Sequence, residues 1–154
     1  MPYHYIDSGL DHVWLVNGYK LHRTPYGEGV AISDVEGLHR AIGRAITDAP
    51  RPLSGAEARF LRMEMDLTQR RLGDLLGVDE QAVRRWEKFR AKPLQGPADR
   101  LLRAVYAEYA GGDGAVRAMV ERLADLDLVD LHRLDFRETG KGWGLNWRLS
   151  TALL

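Results

Sequence analysis

The sequence predicts an α+β protein that is mainly helical: a bundle of five helices with a helix-turn-helix at its centre, preceded by a small β-hairpin and helix and followed by a C-terminal β-hairpin. Three observations predict this. Apolar residues recur at helical spacing through the middle of the chain, a capping residue stands before most of those runs, and near both ends the spacing changes to strand-like alternation. With 154 residues, 45% hydrophobic and 29% charged, the chain can bury a sizeable core.

The first strands are expected at His12–Val16 and Tyr19–Arg23, with Asn17-Gly18 between them as a hairpin turn. In that hairpin His22 would face Val13. A turn at Pro25–Gly29 leads to Val30-Ala31-Ile32, a third strand. Ser33 and Glu36 have capping-box spacing, and Leu38, Ala41, Ile42, Ala45 and Ile46 follow at helical period until Pro50 stops the helix. Arg51-Pro52-Leu53 reads as a short linker.

Ser54 and Glu57 form a second capping box, opening a helix with Phe60, Leu61 and Met65 inward. Thr68 caps the next helix, with Leu72, Leu75 and Leu76 as its apolar stripe and Gly77 at its end. Asp79 caps a third. Gly96-Pro97 starts a fourth, with Leu101, Leu102, Val105, Tyr106 and Tyr109 as its buried face, and Gly111-Gly112 closes it. Asp113 caps a fifth helix, which carries Val116, Met119, Val120 and Leu123. The last hairpin alternates Leu134 and Phe136, then Trp143, Leu145, Trp147 and Leu149, with polar residues. An isolated hairpin is marginal in water, so its aromatic face should cover the N-terminal sheet, the helical core or a second subunit. These shifts divide the chain into a strand-rich unit at 1–50, a helical domain at 51–125 and a hairpin extension at 126–154.

Several function classes drop out on composition. There is no cysteine, which excludes disulfide scaffolds, thiolate zinc sites, iron–sulfur clusters and cysteine nucleophiles. No apolar run approaches the roughly 18 residues of a membrane span, and Met1–Asp7 lacks a basic and an apolar leader region, so a cytoplasmic protein without a membrane partner is expected. The five histidines are scattered, and neither a metal site nor a cofactor is expected. Gly27-Glu28-Gly29 reads as turn chemistry, because Ile32 stands where a dinucleotide fingerprint needs its third glycine. Asp125, Asp127 and Asp130 read as a solvated helix exit, and no catalytic constellation is visible, so an enzyme is not expected.

Lys+Arg and Asp+Glu balance at 22 each, but residues 68–103 carry nine basic and five acidic groups. This is the one positive stretch, and basic faces concentrate attraction to phosphate. Within it, two short capped helices meet at Gly77-Val78, as a helix-turn-helix requires. At roughly 100° per residue, Glu80, Arg84, Lys88, Gln81 and Arg85 share one arc of the second helix, while Ala82, Trp86 and Val83 share the opposite arc. A helix with such a face fits the major groove, where Arg pairs with guanine and Gln with adenine.

The run L-T-Q-x-x-L-x-x-L-L-G-V-x-x-x-x-V-x-R-W-E from Leu67 to Glu87 resembles the lambda-repressor-like (Xre) family of DNA-binding domains, and the likeness extends over residues 54–105. It implies a five-helix bundle acting as a homodimer on double-stranded operator DNA with inverted half-sites. By position it also implies that Gln69 bonds a phosphate, that Glu80, Gln81 and Arg84 face bases, and that Arg85 faces base or backbone. Arg90 and Lys92 would add phosphate contacts. The chain departs from the family at Phe89-Arg90, where glycine is common after W-E-K. The order of a strand-rich unit, a helix and this domain resembles the MqsA (YgiT-type) antitoxins, in which the N-terminal unit holds a cysteine-ligated zinc that this chain cannot bind. The expected function is a sequence-specific transcriptional regulator repressing its own operon. The alternative is an antitoxin that neutralises a partner toxin through the N-terminal unit and autoregulates.

Overall fold

A computed structural model describes residues 1–124 and 134–145. Among them are six α-helices, one 3₁₀ turn and three two-stranded antiparallel sheets, an α+β arrangement dominated by helix. Strand β1 (Tyr3–His4) pairs with β2 (Trp14–Leu15), and β3 (Tyr19–Thr24) with β4 (Gly27–Ile32). Six helices follow: α1 (Val35–Asp48), α2 (Gly55–Glu64), α3 (Gln69–Leu76), α4 (Glu80–Lys88), α5 (Gly96–Gly111) and α6 (Ala115–Ala124). A short ribbon, β5 (Phe136–Glu138) with β6 (Trp143–Leu145), ends the described chain. No helix among the described residues is long and apolar enough to cross a membrane.

The N-terminal strand pairing differs from the sequence expectation. Asn17-Gly18 does not close a hairpin: Gly18 has φ +78°, but Asn17 lacks the positive φ that a type I′ turn needs at both positions. The turn lies instead at Pro25-Tyr26, and the strand resumes at Gly27. Thr24 Oγ1 accepts from Tyr26 N–H and donates to Gly27 C=O, so the turn has its own bonds. Six register pairs form, with His22 opposite Gly29 rather than Val13. The His12–Val16 segment pairs with the extreme N-terminus, where the His4 and Trp14 rings stack at 4.1 Å.

Helix caps follow the local chemistry more closely. Ser54 and Glu57 make a reciprocal capping box, Thr68 accepts from Arg71 N–H, Asp79 accepts from Ala82 N–H, and Gly77 ends α3 at φ +73°. At α1 the cap is Asp34, accepting from Gly37 N–H, and not Ser33. The stripes are also imperfect: Tyr109 and Met119 are exposed where burial was expected, as are Ala41 and Ala45. Ala41 and Met119 lie at the edges of their apolar arcs, whereas Tyr109 sits near the end of α5 and turns its hydroxyl outward to donate to Glu64 C=O.

One hydrophobic core joins the N-terminal unit to the helices. Tyr5, Leu10 and Leu15 pack in the same cluster as Ile42, Leu61, Leu72, Val83 and Tyr106. A polar staple crosses the same boundary: Tyr5 Oη lies 2.8 Å from His39 Nε2, and His39 Nδ1 lies 2.9 Å from Glu64 Oε1. His39 Nδ1–H donates to the carboxylate, and the other ring nitrogen pairs with the phenol. At the other end, Phe136 and Trp143 are 59% and 75% exposed, so among the described residues neither the N-terminal sheets nor the helical core covers these two aromatic side chains. Trp147, Leu149, His132, Asp125, Asp127 and Asp130 lie outside the described residues.

The segment expected to be a plain linker is pinned. Leu53 is buried, its N–H donates to Asp99 Oδ1 at 2.7 Å, and its C=O accepts from Leu94 N–H. Arg103 donates to the carbonyls of Thr47, Ala49 and Arg51 and to Asp99. Arg51 forks onto buried Glu57, which His12 also approaches at 3.4 Å. Burial alone would raise both carboxyls. Guanidinium bonds and backbone N–H donors outweigh it, and both Asp99 and Glu57 sit below their ordinary values. Both groups therefore add stability above the unfolded-state carboxyl range near about pH 4 and lose it as pH falls through the depressed folded values. Asp99→Asn should therefore cost about 1–3 kcal/mol at pH 7, and the gap from wild type should shrink by pH 3. Urea titrations at the two pH values check this, and a gap that widened in acid would contradict it.

Candidate nucleic-acid interface

The residues that could read DNA sit on α4. Val83 is fully buried and Trp86 half-buried against the core, which fixes the rotation of the helix. Glu80, Gln81, Arg84, Arg85 and Lys88 are then all exposed, on the arc the helical wheel assigns them. Asp79 occupies the N-cap, so the first turn of α4 is closed by its own side chain. Arg84 Nη2 reaches Glu80 Oε1 at 3.1 Å. With both partners about half exposed, such a pair is worth only about 0.3–0.5 kcal/mol, so it opens readily for a better acceptor. Among the described residues, no carboxylate lies within ion-pair distance of Arg85 or Lys88.

The exit of α4 works without glycine. Phe89 takes φ −97°, a conformation open to any residue, and its N–H bonds Arg85 C=O. The chain beyond it is stitched to the start of α2, whose first N–H groups would otherwise lack helical partners: Gly55 donates to Lys92 C=O and Ala56 to Arg90 C=O. The Phe89 ring then lies under two ammonium groups, with Lys88 Nζ 5.7 Å and Lys92 Nζ 4.7 Å from its centroid. Arg90, 54% exposed, reaches back to the N-terminal unit with one of its nitrogens. Its Nη2 donates to Gly9 C=O at 2.5 Å and lies 3.8 Å from Asp11, so the N-terminal unit holds it.

Underneath α4 is an ion pair that the sequence reading missed. Glu87, 7% exposed, accepts from Arg62 Nε at 2.7 Å and Nη2 at 2.8 Å, while Arg62 Nη1 caps Leu67 C=O. Gln69 Nε2 adds a bond to Glu87 at 3.3 Å, leaving its second amide hydrogen available. The start of α3, the end of α2 and the last turn of α4 are therefore tied to one carboxylate. Helical periodicity gave Arg62 no role, because its partner lies 25 residues away. Arg59 Nε also lies 3.5 Å from Glu87, and this residue lines a cleft of about 670 Å³ between α2, α4 and the Asp7–Gly9 turn.

Comparison with family models, curated proteins and solved structures gives no match for the chain. What the arrangement offers chemically is a rigidly held helix presenting guanidinium, amide and ammonium donors from one face, next to a capped helix start at Gln69. Glu80 supplies an acceptor on the same face. That is a donor-rich surface suited to phosphate oxygens and to the acceptor edges of purines.

Proposed function

We propose that the chain is a sequence-specific DNA-binding regulator of the lambda-repressor-like kind, in which α2–α6 form the five-helix domain, α3–α4 the helix-turn-helix, and α4 lies in the major groove. The observation that supports this best is the two-sided build of α4, with Val83 and Trp86 locked inward and five polar residues, three of them basic, exposed together. In this reading the protein is a cytoplasmic homodimer that represses its own operon by occupancy. One recognition helix touches too few base pairs for useful selectivity, and two copies on inverted half-sites about 10 to 10.5 bp apart double the contacts. Arg84 is the base-reading residue, lying with Lys88 and Gln81 inside the arc, while Glu80 and Arg85 stand at its two margins. Gln69 positions the domain on a phosphate, and Lys92 adds a second backbone contact.

The test is an affinity titration of variants on an operator selected from a random duplex pool, and on a scrambled duplex. Arg84→Ala should cost about 1–3 kcal/mol on the operator and much less on scrambled DNA. Gln69→Ala should weaken both duplexes by similar factors, because a phosphate contact carries no sequence information. Equal losses on both duplexes for Arg84→Ala would mean that another face of the helix enters the groove. Failure to select any preferred sequence would remove the reading altogether.

A further inference from the structure

The cleft beside α4 has an unusual charge account. Of its lining carboxylates, Glu87 is already matched by the two bonds from Arg62, and Glu64 accepts a hydrogen bond from His39 Nδ1 at 2.9 Å. Arg59 is thus a second guanidinium on a carboxylate that one guanidinium already satisfies, and it is 55% exposed, with donors to spare. Its Nη1 lies 3.9 Å from where a Cβ on Gly9 would stand, and Arg90 donates to that same glycine's carbonyl, so two guanidinium groups converge on the Asp7–Gly9 wall. Lys88 and Arg84 supply cations from the α4 side. Phe60, Ala56 and Met63 give the cleft an apolar lining. At about 670 Å³ it is far larger than a bare inorganic anion and falls within the usual range of small-molecule sites, about 300–1,000 Å³.

We propose that this cleft, walled on one side by the N-terminal unit and on the other by α4, takes a phosphate ester carried on a nucleoside-sized body, with Arg59 as its principal cation. Lys88 assists, and the apolar lining meets the uncharged part of the ligand. Asp7, exposed on the wall and without an ion-pair partner among the described residues, opposes the bound charge. Such an ester has two sources, the backbone of a DNA duplex or a free nucleotide. The duplex source rests on the DNA-binding reading above, and the free nucleotide does not.

The experiment measures binding of adenosine monophosphate by calorimetry, and of a random-sequence 16-bp duplex by anisotropy, to the full chain and to Arg59→Gln, Asp7→Asn and Arg23→Gln. Arg23, 91% exposed on β3 and away from the cleft, is the control cation. Arg59→Gln should weaken the true ligand about tenfold, as expected for the loss of a charge-assisted contact, and Asp7→Asn should tighten it severalfold while Arg23→Gln changes neither. That pattern with the nucleotide assigns a free ligand. The same pattern with the duplex alone, together with a salt slope reduced by about one unit in Arg59→Gln, assigns the DNA backbone. A duplex that binds equally to all variants, with no nucleotide bound, overturns the cleft site and leaves the DNA reading intact. Nucleotide binding with the variant pattern but no duplex binding does the reverse. Because Asp7→Asn predicts a gain, loss of folding cannot imitate the expected result.

Discussion

Glu87→Ala should destabilise the protein by about 3–5 kcal/mol, a large part of the roughly 5–15 kcal/mol by which a domain is stable. The reason is what the substitution leaves behind. Arg62 is only 9% exposed, and without Glu87 its guanidinium keeps one bond, to Leu67 C=O, while remaining shut off from water. Gln69 loses its amide acceptor at the same time, so the start of α3 loosens together with the end of α4. Replacing both charges with apolar groups of similar size, Arg62→Met with Glu87→Leu, should cost far less, because no buried charge is then left unmatched. Urea denaturation of the single and double variants measures the difference. A single variant within about 1 kcal/mol of wild type would show that water reaches Arg62 freely.

Gly55→Ala should also destabilise, against the usual gain. Alanine in a helix is favoured over glycine by about 0.8–1 kcal/mol, which on its own would make the variant more stable. Here the added Cβ would stand 1.8 Å from Trp86 O, 2.8 Å from the carbon of that carbonyl and 2.9 Å from Phe89 O. These are backbone atoms of α4 and its exit, so no side-chain rotation relieves the overlap, and overpacking of this kind costs about 1–3 kcal/mol or more. The displaced segment is the last turn of the helix proposed to read DNA, so affinity for the operator should fall together with the thermal midpoint. A raised midpoint would mean that α2 and α4 slide apart without cost.

How much of this was legible in the sequence follows from how far each interaction reaches along the chain. Ser54, Thr68 and Asp79 act on N–H groups three residues away, so those helix starts were readable from local spacing. The exposed arc of α4 was readable for the same reason. Strand partners were not. Asn17-Gly18 has the composition of a hairpin turn, but Pro25-Tyr26 allows six register pairs with Tyr19–Thr24, and that longer ladder leaves His12–Val16 to pair with the first residues of the chain. At the candidate site, the contacts that immobilise α4 span 25 residues from Arg62 to Glu87 and 81 from Arg90 to Gly9. No periodicity records contacts of that range. Arg90 is an example: its bond to Gly9 C=O belongs to a segment that the motif does not include.

The clamp around Leu53 changes how this chain can be taken apart. A carbonyl triplet held by one guanidinium, beside a backbone amide seated on Asp99, behaves as a weld rather than a hinge. The helical domain is therefore not a cassette that can be grafted elsewhere by cutting at residue 51. The cut would strip Tyr5, Leu10, Leu15, Ile42 and Ile46 from a shared core and leave Arg103 pointing at missing carbonyls. A second tie runs from the Asp7–Gly9 turn to the exit of α4, through the bond from Arg90 to Gly9 C=O. Anything that grips the N-terminal unit, or pushes it away, therefore acts on the end of the helix proposed to read DNA.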